Sequence, residues 1–167
     1  SVSAPLPEMI VGHCDSLLAQ LYDIIEKREK RSAETVIYKD FQGMKLSALG
    51  MGAMRLPVMD GDDARIDEQA AAAMVDYAMA HGVNYYDTAW GYHNGNSELV
   101  MGKALGKYPR DRYCLADKFP GYDLSNMGKV EEIFERQLEK CGVSYFDFYL
   151  FHNVCERNID AYLDPKY

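Results

Sequence analysis

From Val36 onward the chain alternates short apolar runs with stretches of helical period, and the later runs close on an ionisable residue. Residues 83–88 (VNYYDT), 113–118 (YCLADK) and 146–152 (FDFYLFH) read as strands, bounded by glycine and charged residues. Between them lie three segments of helical period. Residues 68–80 place Ala71, Met74, Val75 and Ala78 on one face, with Asp67 as the cap and Gly82 as the stop. Residues 97–105 form a short helix ending at Gly106. Residues 127–141 turn Val130, Ile133, Phe134 and Leu138 inward, with Ser125 or Asn126 as cap and Gly142 as stop. Ahead of them, residues 36–38 and 44–46 flank Gln42-Gly43 as a hairpin, and residues 49–56 (LGMGAMRL) read as a glycine-punctuated buried strand with its exit. Strands separated by helices imply a parallel sheet with right-handed crossovers, the α/β class. The loops lengthen after the strands, on the side where (β/α)8 enzymes carry their chemistry.

The first 34 residues differ in character. A Pro-containing opening (Pro5, Pro7) precedes a helix predicted over residues 16–31, with Leu17, Leu18, Leu21, Ile24 and Ile25 as one apolar stripe. The basic cluster Lys27, Arg28, Lys30 and Arg31 suits the negative end of that helix and is interleaved with Glu26, Glu29 and Glu34, so it reads as a solvated face. The chain thus divides into an unassigned N-terminal extension, 1–34, and an α/β segment, 35–167. A net charge of −8 disfavours nucleic acid as a partner, since phosphate is repelled on average. No apolar run approaches the roughly 20 residues of a membrane span, and no secretory leader pattern opens the chain. The four cysteines, Cys14, Cys114, Cys141 and Cys155, form no C-x-x-C pair; they read as free thiols of a cytoplasmic protein, with no metal site.

Four polar residues fall at or just beyond successive strand ends: Asp87, Tyr92 in the following loop, Lys118 and His152. Neighbouring strands are about 5 Å apart, so three strand ends can converge around the tyrosine. Ionisable residues capping buried strands are costly unless paired, and convergence supplies the partners. A free phenol has a pKa of about 10, and an ammonium beside a phenol favours the phenolate. Asp87 would hold Lys118, and His152 would hydrogen-bond a carbonyl oxygen or orient Tyr92. Such a set can protonate an alkoxide as hydride reaches carbon, or run the reverse.

These residues resemble the Asp-Tyr-Lys-His tetrad of the aldo-keto reductases. The stretch from Gly82 through Asp87 to Tyr92, followed by Asn96-Ser97-Glu98 and Gly102, resembles that family's first signature, and residues 49–55 are similar to its first strand. The resemblance covers residues 36–167, and a bacterial subgroup that often carries a C-terminal ferredoxin-like cysteine cluster is the closest likeness; that cluster has no counterpart here. The resemblance implies a parallel (β/α) barrel of the TIM type, with about the first four βα units present, preceded by the hairpin and the N-terminal helix. It implies an NADPH- or NADH-dependent reductase of small aldehydes and ketones, with Asp87, Tyr92, Lys118 and His152 catalytic and Gly52, Ala53, Met54 and Asp87 touching the cofactor. Trp90 and Tyr122 are expected to line the substrate mouth, and His93 to be a bystander. Gly50 and Gly52 are not a dinucleotide fingerprint, because the third glycine is missing and no helix begins there.

A family barrel has eight strands, and about four are legible here. Truncation is the expectation, with self-association or pairing with a C-terminal half as the other route to covering two open sheet edges. A catalytically inactive cofactor- or partner-binding half-barrel is the second reading. A metal-dependent hydrolase using Asp87 and His152 is the third, disfavoured by the lack of an H-x-H pair after the first strand.

Overall fold

The computed structural model describes residues 36–167; the helix expected over 16–31, with the rest of segment 1–34, lies outside the described residues. The hairpin forms as strand β1 (Tyr38–Phe41) against β2 (Met44–Ser47), with Phe41 opposite Met44. Its two-residue turn has positive φ at both Gln42 (49°) and Gly43 (81°), the twist that a tight hairpin of right-twisted strands requires. The hairpin docks at the N-terminal ends of the main strands. Tyr38 Oη donates to the Gly82 carbonyl at 2.8 Å, the Ser47 N–H donates to Asn84 Oδ1 at 2.7 Å, and the Phe41 and Phe148 ring centres are 5.8 Å apart.

The main sheet has four parallel strands in the order β3 (Met51–Gly52), β4 (Tyr85–Asp87), β5 (Cys114–Phe119) and β6 (Phe148–Phe151). Helices α1 (Glu68–Ala80), α2 (Ser97–Leu105) and α3 (Val130–Cys141) are the crossovers, and a short α4 (Ile159–Leu163) follows β6. This is the expected series of four βα units in an α/β fold. The strand expected over residues 49–56 is far shorter. Among the described residues only Met51 and Gly52 pair, with β4, and Leu49 and Met54 are exposed.

Helix α1 starts and stops where its chemistry dictates. Asp67 accepts the Ala70 N–H at 2.9 Å, filling one orphan donor of the first turn, and Gly82 takes φ +83°. Ala71 and Val75 are buried, but Met74, expected inward, is 44% exposed, because the buried stripe is only as wide as the 71, 75, 78 row. In α3 the buried stripe is Ile133, Gln137 and Cys141; Val130, expected inward, is exposed. Its start also differs from expectation. Asp123 caps a 3-10 turn over Leu124–Asn126 by accepting the Ser125 N–H at 3.0 Å, and α3 begins at Val130 with no side-chain cap. Gly142, at φ +64°, ends it.

Paired residues of parallel strands share a face, so the register sorts the sheet. Met51, Tyr86 and Leu115 lie on the helix side, in a core with Val75, Met101 and Leu105. Tyr85, Asp87, Ala116, Lys118 and Leu150 lie on the opposite side. Alternation within β4 and β5 therefore sends one set of side chains to the helices and the other to the face that carries the polar strand ends.

Candidate active site

Asp87 is the last residue of β4, Lys118 the penultimate residue of β5, and His152 follows β6 directly. The same hydrogen-bond ladder sets all three: Asp87 pairs with Ala116, Lys118 with Leu150, and the His152 N–H donates to the Phe119 carbonyl at 3.0 Å. All three ends face one rim.

Lys118 Nζ lies 2.5 Å from Asp87 Oδ1 and donates to the Thr88 carbonyl at 2.7 Å. The same ammonium is 4.7 Å from the centre of the Tyr92 ring. The Tyr92 and His152 ring centres are 5.6 Å apart and nearly perpendicular (88°), and Tyr122 meets His152 from another direction at 5.1 Å, again edge to face. The structure thus gathers Asp87, Tyr92, Lys118 and His152, with Tyr122 beside them. His152 Nδ1 is buried with no partner, a buried polar atom that needs one. Burial first and the Lys118 charge second hold the His152 pKa below the usual imidazole value, with Asp87 opposing them. The imidazole is held neutral, so one ring nitrogen donates and the other accepts.

The loop that carries Tyr92 is held under backbone strain. His93, Asn94 and Gly95 all have positive φ, unfavourable for the first two, which have a Cβ. His93, read in the sequence as a bystander, is what holds it. The ring is buried; Nε2 accepts the Leu56 N–H at 3.0 Å, so Nδ1 carries the proton and donates to the Asp63 carbonyl at 2.9 Å. Thr88 and Ser97 hydroxyls bond at 2.9 Å, and Ser97 Oγ donates to the Ala53 carbonyl at 3.1 Å, tying the β3 exit to the loop.

The residues expected to touch a cofactor fall into two kinds. Gly52 and Met54 are exposed at the end of β3, and the space where a Gly52 side chain would stand is open. Ala53 is fully buried and both its backbone groups are used, by the Asp87 carbonyl and by Ser97 Oγ, which leaves Gly52 and Met54 as the accessible part of that strand end. Trp90 packs against the Phe119, Met127 and Ile133 cluster with the Lys140 ammonium 4.9 Å above its ring, and it shares a cavity of about 570 Å³ with Tyr122, Arg136 and Lys140. Among the described residues no group of three His, Cys, Asp or Glu could hold a metal ion, and no helix is long and apolar enough to cross a membrane.

A second polar cluster, which strand-end reasoning passes over, lies on the helix side of β5. Asp117, Glu98 and Gln137 are all fully buried. The signal was available, since strand alternation puts Asp117 opposite Lys118 and hence under the helices.

The sequence profile of the Aldo/keto reductase family matches residues 48–159. A probable aldo-keto reductase of Glycine max is 34% identical over 121 residues, covering 68% of this chain and 34% of its own length. The NADH-specific methylglyoxal reductase of Escherichia coli is 29% identical over 127 residues, covering 64% of this chain and 38% of that protein. The holo form of aldo-keto reductase AKR11C1 from Bacillus halodurans superposes with a TM-score of 0.59 at 27% identity, over 76% of this chain and 44% of that one. The chain therefore spans about a third of the length of the curated relatives it matches. The profile match covers every strand of the parallel sheet and all four polar strand-end and loop residues, and on it the chain belongs to the aldo/keto reductase family.

Proposed function

We propose that the protein to which this chain belongs reduces small aldehydes or ketones to alcohols with NADPH or NADH, with Tyr92 as the proton donor. The observation that carries this reading is one ammonium, Lys118 Nζ, 2.5 Å from the Asp87 carboxylate and 4.7 Å from the Tyr92 ring centre. The relative from Escherichia coli, named for NADH and methylglyoxal, supports the cofactor and substrate class. A nicotinamide cofactor, when bound, supplies the hydride. The open space at Gly52 and the exposed Met54 fit the approach of such a group, and with Asp87 they would hold it.

The chain's own residues manage the proton. Asp87 pairs with and aims Lys118, whose ammonium stands 4.7 Å from the Tyr92 ring centre, and Tyr92 Oη would pass its proton to the alkoxide. His152, neutral and with Nδ1 enclosed, would offer its other ring nitrogen, Nε2, to the substrate carbonyl oxygen. Tyr122 screens His152 from one side and would form part of the substrate mouth with Trp90. The free thiols Cys114, Cys141 and Cys155 suit a reducing, cytoplasmic setting.

The test is NADPH fluorescence titration of the full-length protein, with turnover of a generic aldehyde in the wild type and in Tyr92→Phe. Turnover in the wild type, with binding intact and turnover reduced by about 100-fold or more in the variant, is expected for loss of a general acid. Binding with no turnover in either protein would instead support an inactive cofactor-binding module.

A further inference from the structure

Behind β5, on the face away from Tyr92, α2, α3, β5 and β6 bring together a chain of polar groups in an otherwise apolar layer. The Asp117 carboxyl accepts the Lys118 N–H at 2.8 Å. Gln137 Nε2 donates to the Lys118 carbonyl at 3.1 Å and to Glu98 Oε1 at 2.9 Å. Tyr149 Oη donates to Gln137 Oε1 at 2.6 Å, and Lys140 pairs with Glu98 Oε2. The Lys118 residue is thus held at both its N–H and its carbonyl from the helix side, while its side chain reaches the opposite rim.

Resting on the reductase reading, we propose that Asp117 and Gln137 are positioning residues: a buried clamp, anchored by Glu98 and Lys140, that fixes the Lys118 backbone so that its ammonium stays between Asp87 and Tyr92. Of the two carboxyl groups in this layer, Glu98 is the one that pairs with Lys140. The Asp117 carboxyl, facing Glu98, keeps its proton. Burial first and Glu98 second push its pKa up to about 9, against the pull of the Lys118 N–H. The groups that face it are Glu98 from α2, the Cys141 thiol from α3, Tyr149 from β6, and Lys118 on its own strand. A neutral Asp117 can accept from the backbone with one oxygen and donate to Glu98 with the other, so no second buried anion is left unpaired. Displacing a catalytic group by about 1 Å can cost on the order of 100-fold in rate, which is why a backbone clamp matters to a lysine at the end of a strand.

Two variants of the full-length protein separate positioning from mere packing. Asp117→Leu removes both hydrogen bonds and is expected to lower kcat by on the order of 10- to 100-fold with NADPH titration unchanged. Asp117→Asn keeps an acceptor for the Lys118 N–H and a donor for Glu98, and is expected to rescue most of that loss. Gln137→Met, which frees the Lys118 carbonyl, serves if the leucine variant does not fold. Wild-type turnover in the leucine or methionine variant, or an asparagine variant as impaired as the leucine one, overturns the clamp. Two readouts need no turnover: the infrared band of a protonated carboxyl at neutral pH, expected in the wild type and absent from Asp117→Asn, and Lys118 amide exchange, expected to quicken in Asp117→Leu. Their absence also overturns it, whereas a wild type that shows both and reduces no carbonyl overturns the reductase reading alone.

Discussion

The Lys118 ammonium rests 2.5 Å from an Asp87 carboxylate oxygen, with only 12% of the lysine side chain and 25% of the aspartate side chain exposed. Removing one partner of so enclosed a pair leaves the other charge short of compensation, and the lysine is the more enclosed. Asp87→Asn is therefore expected to destabilise the fold by up to about 3 kcal/mol. Lys118→Met, which leaves the more exposed carboxylate, is expected to cost less. Denaturant titration of both variants checks the order, and equal costs would contradict it.

His152 carries an acid limit on stability. Its pKa lies below the 6.5 of a free imidazole, so the unfolded chain takes up a proton that the folded chain resists. The contribution to stability is present above pH 6.5 and is lost as pH falls through the folded value. His152→Gln is expected to flatten the fall in melting temperature below pH 6.5. An NMR titration of Asp87→Asn is expected to show a His152 pKa lower still, since the carboxylate is the one group raising it.

Asp117 sets the opposite slope. Its folded pKa is raised to about 9 from 3.8, so its protonated form favours the fold fully below 3.8, and that contribution drains away as pH rises through 9. Asp117→Asn cannot ionise. The variant is expected to gain melting temperature relative to the wild type as pH rises from 5 to 9, by thermal denaturation at stepped pH. A difference independent of pH would show that Asp117 is ionised in the fold.

Gly102 lies in α2 where that helix crosses the end of α3. A Cβ there would stand 2.6 Å from the Cys141 carbonyl oxygen and 2.8 Å from its carbon, and backbone cannot step aside as a side-chain tip could. Alanine gains about 1 kcal/mol of helix propensity over glycine, but overpacking costs about 1–3 kcal/mol, so Gly102→Ala is expected to be destabilising on balance. An unchanged denaturation midpoint would mean that the two helices can separate freely.

Local chemistry settled a good part of this molecule. The Asp67 cap and Gly82 bound α1, Ser97–Leu105 folds as the helix its pattern describes, and Gly142 ends α3, because caps and glycines act within one turn of themselves. The order of strands and helices followed from alternation, and it placed Asp87, Lys118 and His152 at one rim, because parallel strands all end on the same side. What only the tertiary structure decided is how each face is used. Among the described residues β3 pairs over only two residues, and the width of the α1 and α3 contacts left Met74 and Val130 outside the core. His93 looked idle because its partners, Leu56 and Asp63, are 37 and 30 residues away in the chain. The Asp117, Glu98 and Gln137 cluster spans three elements, and whether a buried carboxyl keeps its proton depends on which charges stand across from it in space, a quantity that residue order alone does not contain.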